Sequence, residues 1–124
     1  MKLFIDGKEE PFENEHKFEE SKEYLIEYKF DNELINMTAL FMDIKNLKEI
    51  DFSDIKAENI STMDKLFRNR INLEKVMLNN LKTYKVETMI SMFQGCNKLK
   101  ELNMVKFDTS NANSTNSMFK DCIA

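Results

Sequence analysis

The stretch Met89–Leu99, with the sequence MISMFQGCNKL, contains the feature that decides the fold, an apolar pattern that returns along the chain. Its central aromatic residue belongs to a series of four phenylalanines spaced 26 residues apart: Phe41, Phe67, Phe93 and Phe119. Other apolar columns keep this period, among them Met37, Met63 and Met89. A fixed period of roughly 20 to 50 residues is typical of stacked repeats, in which each repeat buries its apolar face against the next.

Within each repeat the apolar residues predict a helical turn, a strand and a polar return. Met89, Met92 and Phe93 have the i, i+3, i+4 spacing of one helix face. The pattern L-x-x-L-x-M that begins at Leu99 predicts a strand with alternate residues buried. Two positions after each phenylalanine stands a residue type that enters the left-handed backbone region readily, and we expect it to end the helix: Asp43, Asn69, Gly95 or Asp121.

Residues 1–36 do not follow the period. Asp6-Gly7 between two short segments predicts a tight hairpin turn. Residues 23–30 alternate apolar and polar side chains, which predicts a half-buried strand. Counting back one period from the repeat strands reaches this segment, so we expect it to form the first strand of the repeat sheet. The sequence therefore predicts an N-terminal β-rich cap over 1–36 and a repeat array over 37–124, with three full repeats and an incomplete fourth.

The stretch Met89–Leu99, followed by Phe107–Asn111, resembles the repeat of BspA-like leucine-rich-repeat surface proteins. The resemblance covers residues 37–124, with Asp43-Ile44 and Asn69-Arg70 standing where the family pattern has Gly-Cys. It implies an α/β fold, a right-handed leucine-rich-repeat solenoid with a parallel sheet on one face and short helices on the other. It also implies a module of a larger secreted or surface-displayed protein, with adhesive roles in some members and no active site.

Strand alternation predicts which side chains of the repeats face outward on the sheet. They are Glu49, Asp51, Ser53, Lys75, Met77, Asn79, Glu101, Asn103 and Val105. Stacked in register, the first position of each strand forms a ladder of alternating sign, Glu49–Lys75–Glu101. One interpretation is that these charges set the register of the repeats and keep the chain soluble. The other is that the mixed surface, with apolar Met77 and Val105, binds a protein partner.

We therefore expect a non-catalytic protein-binding or adhesion module, with a host or extracellular-matrix protein as one candidate partner. A structural spacer or stalk segment of a larger surface protein, with no ligand of its own, is the alternative. The exposed apolar residues of the fourth repeat, Met118, Phe119 and Ile123, predict that this end either frays or packs on a second copy. Localisation at the cell surface or in the medium, as part of a longer protein, rests on the resemblance.

No residue predicts a catalytic, cofactor-binding or metal-binding role. Cys96 and Cys122 lie one period apart, and a disulfide would require their Cα atoms to come within ~7 Å, so two buried thiols are the favoured interpretation. Zinc needs about four ligands at short spacings, which two cysteines and one distant histidine do not supply. That histidine, His16, lies in an acidic stretch and is expected to be a solvated residue of the cap.

Composition excludes two further classes. The net charge of −4 over 124 residues argues against general binding of nucleic-acid phosphates. No apolar run approaches the ~20 residues that cross a bilayer, so membrane insertion is not expected. The N-terminal apolar segment is also too short and too quickly polar for a secretory signal.

Overall fold

A computed structural model describes residues 2–11, 20, 22–29, 34–43, 46–52, 55 and 57–123. The described residues form six β-strands joined by turns and extended connections, and they contain no helix. The chain divides into two compact units, Met1–Asp31 and Asn32–Ala124. His16 and Ser53 lie outside the described residues.

The first unit is an antiparallel sheet of three strands in the order β2-β1-β3: β1 (Lys2–Ile5), β2 (Lys8–Glu10) and β3 (Ile26–Lys29). Strands β1 and β2 form the predicted hairpin, and Asp6 and Gly7 have φ angles of 48° and 82° at its turn. Two successive positive φ angles are what a primed two-residue turn requires. The hairpin prediction is confirmed.

The prediction that β3 forms the first strand of the repeat sheet is wrong. Strand β3 pairs antiparallel with β1, in a sheet separate from the strands of the repeats. Asp6 fixes this pairing because its N–H donates to the Leu25 carbonyl at 2.9 Å and its Oδ1 accepts from the Leu25 N–H at 3.0 Å. A two-stranded hairpin is only marginally stable alone, and a third strand completes it.

The second unit contains a parallel sheet in the order β4-β5-β6: β4 (Glu49–Asp51), β5 (Lys75–Met77) and β6 (Glu101–Asn103). Ile50 pairs with Val76, and Val76 with Leu102, so the 26-residue period is the register of the sheet. Val76 is completely buried, whereas its neighbours on the strand are half-buried. The predicted positions and alternation of these strands are confirmed.

The four periodic phenylalanines form a single row. Their ring centroids lie 6.0 Å apart from Phe41 to Phe67, 5.2 Å from Phe67 to Phe93 and 5.4 Å from Phe93 to Phe119. The rings are stacked, with interplanar angles of 13°, 22° and 2°. Each stacked pair adds about 0.5–1.5 kcal/mol to the stabilisation from burial itself. The row is the centre of the apolar core of the repeats.

The short helices predicted before each strand do not form. In the segment Met37–Asp43, alternate backbone N–H groups donate across to the next repeat: Met37 to the Thr62 carbonyl, Ala39 to Asp64, Phe41 to Leu66 and Asp43 to Arg68, at 2.9–3.1 Å. The N–H groups between them close three-residue turns, such as Leu40 to the Met37 carbonyl. A helix would require bonds to the fourth preceding carbonyl instead.

Two backbone positions in each repeat exclude a helix. Asp43, Asn69, Gly95 and Asp121 have positive φ angles of 59° to 75°, as the sequence predicts, although they close turns and not helices. A second set, four residues earlier, also has positive φ, from 54° to 57°: Ala39, Lys65, Ser91 and Ser117. A left-handed residue at the third position of a turn is characteristic of type II turns and interrupts a right-handed helix.

These findings correct the predicted fold class. The described residues form a small, all-β structure of two three-stranded sheets, one antiparallel and one parallel, and not the α/β right-handed leucine-rich-repeat solenoid. The prediction was wrong because Met, Leu and Phe at i, i+3 and i+4 also share one side of two consecutive tight turns. The apolar spacing does not distinguish the two backbones, since Met63, Leu66 and Phe67 are all completely buried in the turn conformation.

Candidate functional site

The predicted outward-facing residues of the parallel sheet lie where the alternation places them. Eight of them are described, and we call this set the sheet-face patch: Glu49, Asp51, Lys75, Met77, Asn79, Glu101, Asn103 and Val105. Six lie on the three strands, while Asn79 and Val105 follow β5 and β6 by two residues. Ser53 completes the predicted set but lies outside the described residues.

Strand register brings the members of the sheet-face patch together. Glu49 pairs with Lys75 and Lys75 with Glu101, while Asp51 pairs with Met77 and Met77 with Asn103. Adjacent strands in a sheet are ~4.8 Å apart, so side chains in one row are direct neighbours. The patch is therefore continuous across all three repeats that contribute strands.

Ion pairs between repeats run along the edge of the patch. Lys75 Nζ lies 3.3 Å from Glu101 Oε2. In the column one residue earlier, Lys100 Nζ lies 3.2 Å from Glu74 Oε2. All four side chains are substantially solvent-exposed, so each pair contributes at most about 1 kcal/mol to stability. Their main physical effect is to hold long side chains in register on the face.

The apolar part of the patch consists of Met77 and Val105. Met77 is half-buried in the middle of the sheet, and Val105 is 84% exposed. Asn103 orders the backbone beside Val105, because its Oδ1 accepts the Val105 N–H at 3.2 Å. A single exposed apolar residue is ordinary in proteins. Here, however, two such side chains lie beside aligned charges and amides, an arrangement that suits contact with another protein.

A shallow open cleft of about 440 Å³ lies elsewhere, against the return segment of the second repeat. It is lined by Asn80, Leu81, Lys82, Thr83, Tyr84, Lys106 and Asp108. Several of its polar groups are occupied by structural contacts. The Thr83 hydroxyl donates to the Asp108 carbonyl at 2.9 Å and accepts the Asp108 N–H at 2.7 Å, and Lys82 is paired with Glu58. These contacts connect successive repeats.

The two cysteines are free thiols. Cys96 is completely buried and Cys122 is half-buried. Burial raises the pKa of Cys96 to about 12, and the pKa of Cys122 is also raised, again chiefly by burial. Neither group is therefore an activated nucleophile, since the thiolate is the reactive form. The interpretation as thiols rather than a disulfide is confirmed.

Sequence reasoning missed two features of the repeats. The left-handed positions at Ala39, Lys65, Ser91 and Ser117 carry residue types with no preference for that conformation, so nothing in their chemistry announces them. Arg70 is completely buried in the column that contains Cys96 and Cys122 one and two repeats later. No pattern in the sequence indicates that an arginine occupies this interior column.

Comparison with protein families identifies the region that contains the sheet-face patch. A family model described as "Mycoplasma protein of unknown function, DUF285" matches residues 35–124. The chain belongs to the DUF285 family. The DUF285 match begins one residue before Asn36, where the first backbone bridge between repeats occurs, from Asn36 to Thr62. It therefore contains every described residue of the patch.

No curated protein and no solved structure matches the chain. Within the described ranges, no helix has the length and apolar character needed to cross a membrane.

Proposed function

We propose that this DUF285 chain is a non-catalytic binding module of a surface-displayed protein and contacts a protein partner through the sheet-face patch. The observation that carries the proposal is the position of Met77 and Val105, two accessible apolar side chains on a face otherwise formed by charges and amides. Apolar contact area surrounded by polar groups is the arrangement found in protein–protein interfaces. The resemblance of Met89–Leu99 to repeats of BspA-like surface proteins supports both adhesion and display at the surface.

The size of the face limits the affinity that we expect. Three short strands offer less area than the ~800 Å² that each partner buries in a standard interface. Binding through this patch alone is therefore expected to be weak and transient. Adhesion by many copies on one surface would compensate for weak single contacts, because linked sites raise the effective concentration.

The test is binding of the immobilised full chain to a panel of purified extracellular-matrix proteins, measured by biolayer interferometry. The double variant Met77→Lys, Val105→Lys is expected to lose at least about tenfold in affinity for the bound protein. Ile71→Lys is the matched control, because Ile71 is a 45% exposed apolar residue outside the patch. Equal binding by the wild type and the double variant would exclude the patch as the contact surface.

A structural spacer is the second candidate, and the polar contacts between repeats favour it. Lys85 Nζ donates to Asn59 Oδ1 at 2.6 Å, and Lys98 Nζ donates to Asn72 Oδ1 at 3.0 Å, each across one repeat. Side chains used in this way stiffen the array without recognising a ligand. For a spacer, deleting 26 residues would shorten the reach of the parent protein, and the patch variants would have no effect on its function.

A further inference from the structure

The backbone ladder of the repeats has a direction. In each repeat the donors are the N–H groups of alternate residues, and the acceptors are carbonyls of the following repeat. Twelve such bonds, at 2.7–3.1 Å, connect the described repeats. The last four run from Met89, Ser91, Phe93 and Gly95 to the carbonyls of Ser114, Asn116, Met118 and Lys120.

The outer edge of this ladder therefore consists of donors. We define the donor row as the N–H groups of Thr115, Ser117, Phe119 and Asp121. They are the equivalents of the donors one repeat earlier, and no described residue accepts from them. The carbonyls of the first three of these residues accept instead from turns within the repeat: Met118 to Thr115, Lys120 to Ser117 and Cys122 to Phe119, at 3.1–3.2 Å.

Apolar surface accompanies the donor row. Phe119 is 48% exposed and Ile123 is 80% exposed. At the opposite end of the phenylalanine row, Phe41 is only 6% exposed. One end of the row is thus covered, and the other presents a ring and a row of backbone donors to solvent.

The direction of the ladder selects the partner. Peptide units aligned along the stack add their dipoles, as they do in a helix, and place the positive end at the donor row. Two copies of the row cannot satisfy one another by hydrogen bonds, because donors would face donors. A matching segment must present carbonyls at alternate residues, which is what each repeat presents to the repeat before it.

We propose that the donor row docks an extended segment of another polypeptide that has the backbone and apolar chemistry of one further repeat. The segment would supply main-chain carbonyls to the row and an apolar side chain against Phe119. The contact continues the established interface between the third and fourth repeats, in which Phe93 stacks on Phe119 at 5.4 Å. Addition of a segment to an exposed backbone edge is a known mode of peptide recognition. This site is separate from the sheet-face patch.

The probe is a fluorescent peptide with the sequence of Thr88–Cys96 and serine in place of the cysteine, TMISMFQGS. In the protein this segment presents its carbonyls to the second repeat. Binding to the full chain is measured by fluorescence anisotropy, and a scrambled peptide is the control. We expect saturable binding of the native sequence and none of the scrambled one. Equal binding of both peptides, or binding of neither, would overturn the proposal.

Two variants of the full chain locate the binding site. Thr115→Pro removes one donor whose N–H is bonded to no described residue, and Thr115→Ala keeps that N–H. The proline variant is expected to bind about fivefold more weakly, and the alanine variant as well as the wild type. Ile123→Lys, at an 80% exposed position, is expected to weaken binding without depending on proline geometry. Wild-type affinity in both Thr115→Pro and Ile123→Lys would overturn the proposal.

A second copy of the chain is the competing occupant. Sedimentation velocity over a range of concentrations distinguishes the two: we expect a monomer to which the peptide binds. Self-association that is abolished by Ile123→Lys and leaves no site for the peptide would overturn the proposal. Met77→Lys, Val105→Lys is expected to leave peptide binding unchanged, so failure of this proposal and failure of the sheet-face proposal are separable.

Discussion

Cys96 donates its thiol hydrogen to the backbone carbonyl of Phe67, in the preceding repeat, with Sγ 3.2 Å from the oxygen. Cys122 repeats the contact one period later, to the Phe93 carbonyl at 3.0 Å. Each cysteine therefore connects two repeats through a hydrogen bond and not through a disulfide. The carbonyl of each phenylalanine accepts this thiol in addition to an N–H from its own turn.

The reactivity of the two thiols should differ. Burial raises the pKa of Cys96 to about 12, and Cys96 is completely buried, whereas Cys122 is half-buried. At pH 8 we expect a chromogenic disulfide reagent to modify Cys122 at least about tenfold faster than Cys96. The variants Cys96→Ser and Cys122→Ser assign the two phases. Equal rates in the folded protein would contradict the burial of Cys96.

The same pKa shift predicts a pH dependence of stability. The pKa of the Cys96 thiol is higher in the folded state, about 12, than its ordinary value of 9.0. Its contribution to stability is therefore fully present below pH 9 and is lost as the pH rises towards 12. We expect the free energy of unfolding to fall less steeply in this range for Cys96→Ala than for the wild type, as measured by urea denaturation. Parallel curves for the two proteins would refute the prediction.

The stacked phenylalanines should contribute unequally. Phe93 is completely buried between Phe67 and Phe119, whereas Phe119 is 48% exposed. We expect Phe93→Ala to lower the free energy of unfolding by about 3–5 kcal/mol. Phe119→Ala leaves no enclosed cavity and should cost no more than about half as much. Chemical denaturation measures both, and a cost for Phe119→Ala equal to that of Phe93→Ala would contradict the model of a covered and an open end.

Gly95 should not tolerate a side chain. Its φ is +75°, and a Cβ there would lie 2.9 Å from Asn69 Oδ1 and 3.4 Å from Asn69 Cα. The same Asn69 side chain donates to Asp43 Oδ1 at 3.1 Å, so it is not free to move without losing that bond. We expect Gly95→Ala to destabilise the protein by about 2 kcal/mol, through left-handed strain and contact with the neighbouring repeat.

Gly7→Ala is the matched control for this substitution. Gly7 has a φ of +82°, but a Cβ there would meet no atom within 4 Å. Its cost therefore measures left-handed strain alone, about 1–2 kcal/mol. If thermal denaturation shows that Gly95→Ala costs less than Gly7→Ala, the close approach of the two repeats at Asn69 is not significant.

Thr83 should be more important for stability than its equivalent in the next repeat. Thr83 is 1% exposed, and its hydroxyl bonds both the N–H and the carbonyl of Asp108, at 2.7 and 2.9 Å. Thr83→Val keeps the shape and removes both bonds, so we expect a loss of about 1–3 kcal/mol. Thr109→Val, at an exposed position 26 residues later, should have little effect. A neutral Thr83→Val would show that these bonds add nothing to stability.

The sequence predicts those features that depend on burial repeated at a constant interval. The phenylalanine row, the parallel register of Val76 with Leu102 and the left-handed residues at Asn69 and Gly95 all follow from residue type and period. The outward positions of the sheet-face patch follow from strand alternation in the same way. Such features can be predicted because each depends on residue chemistry at one column.

The errors concern hydrogen bonds between distant segments. Apolar spacing suggests a helix over 89–93, but the neighbouring repeats offer carbonyls to alternate N–H groups, and the backbone adopts turns to meet them. Strand β3 likewise fits the period, yet the bonds between Asp6 and Leu25 hold it in the antiparallel sheet. The donor row could not be predicted for the same reason, since it exists only once the direction of the ladder is known.

The contrast between Phe41, at 6% exposure, and Phe119, at 48%, also determines how the repeats open to solvent. Deuterium should enter first at the amides of Met118 and Lys120, whose turns lie outermost, and last at those of the second repeat, where Met63, Leu66 and Phe67 are completely sealed. Exchange would then proceed inward from one side only. Such one-sided opening gives the stack a weak end at which proteolysis begins.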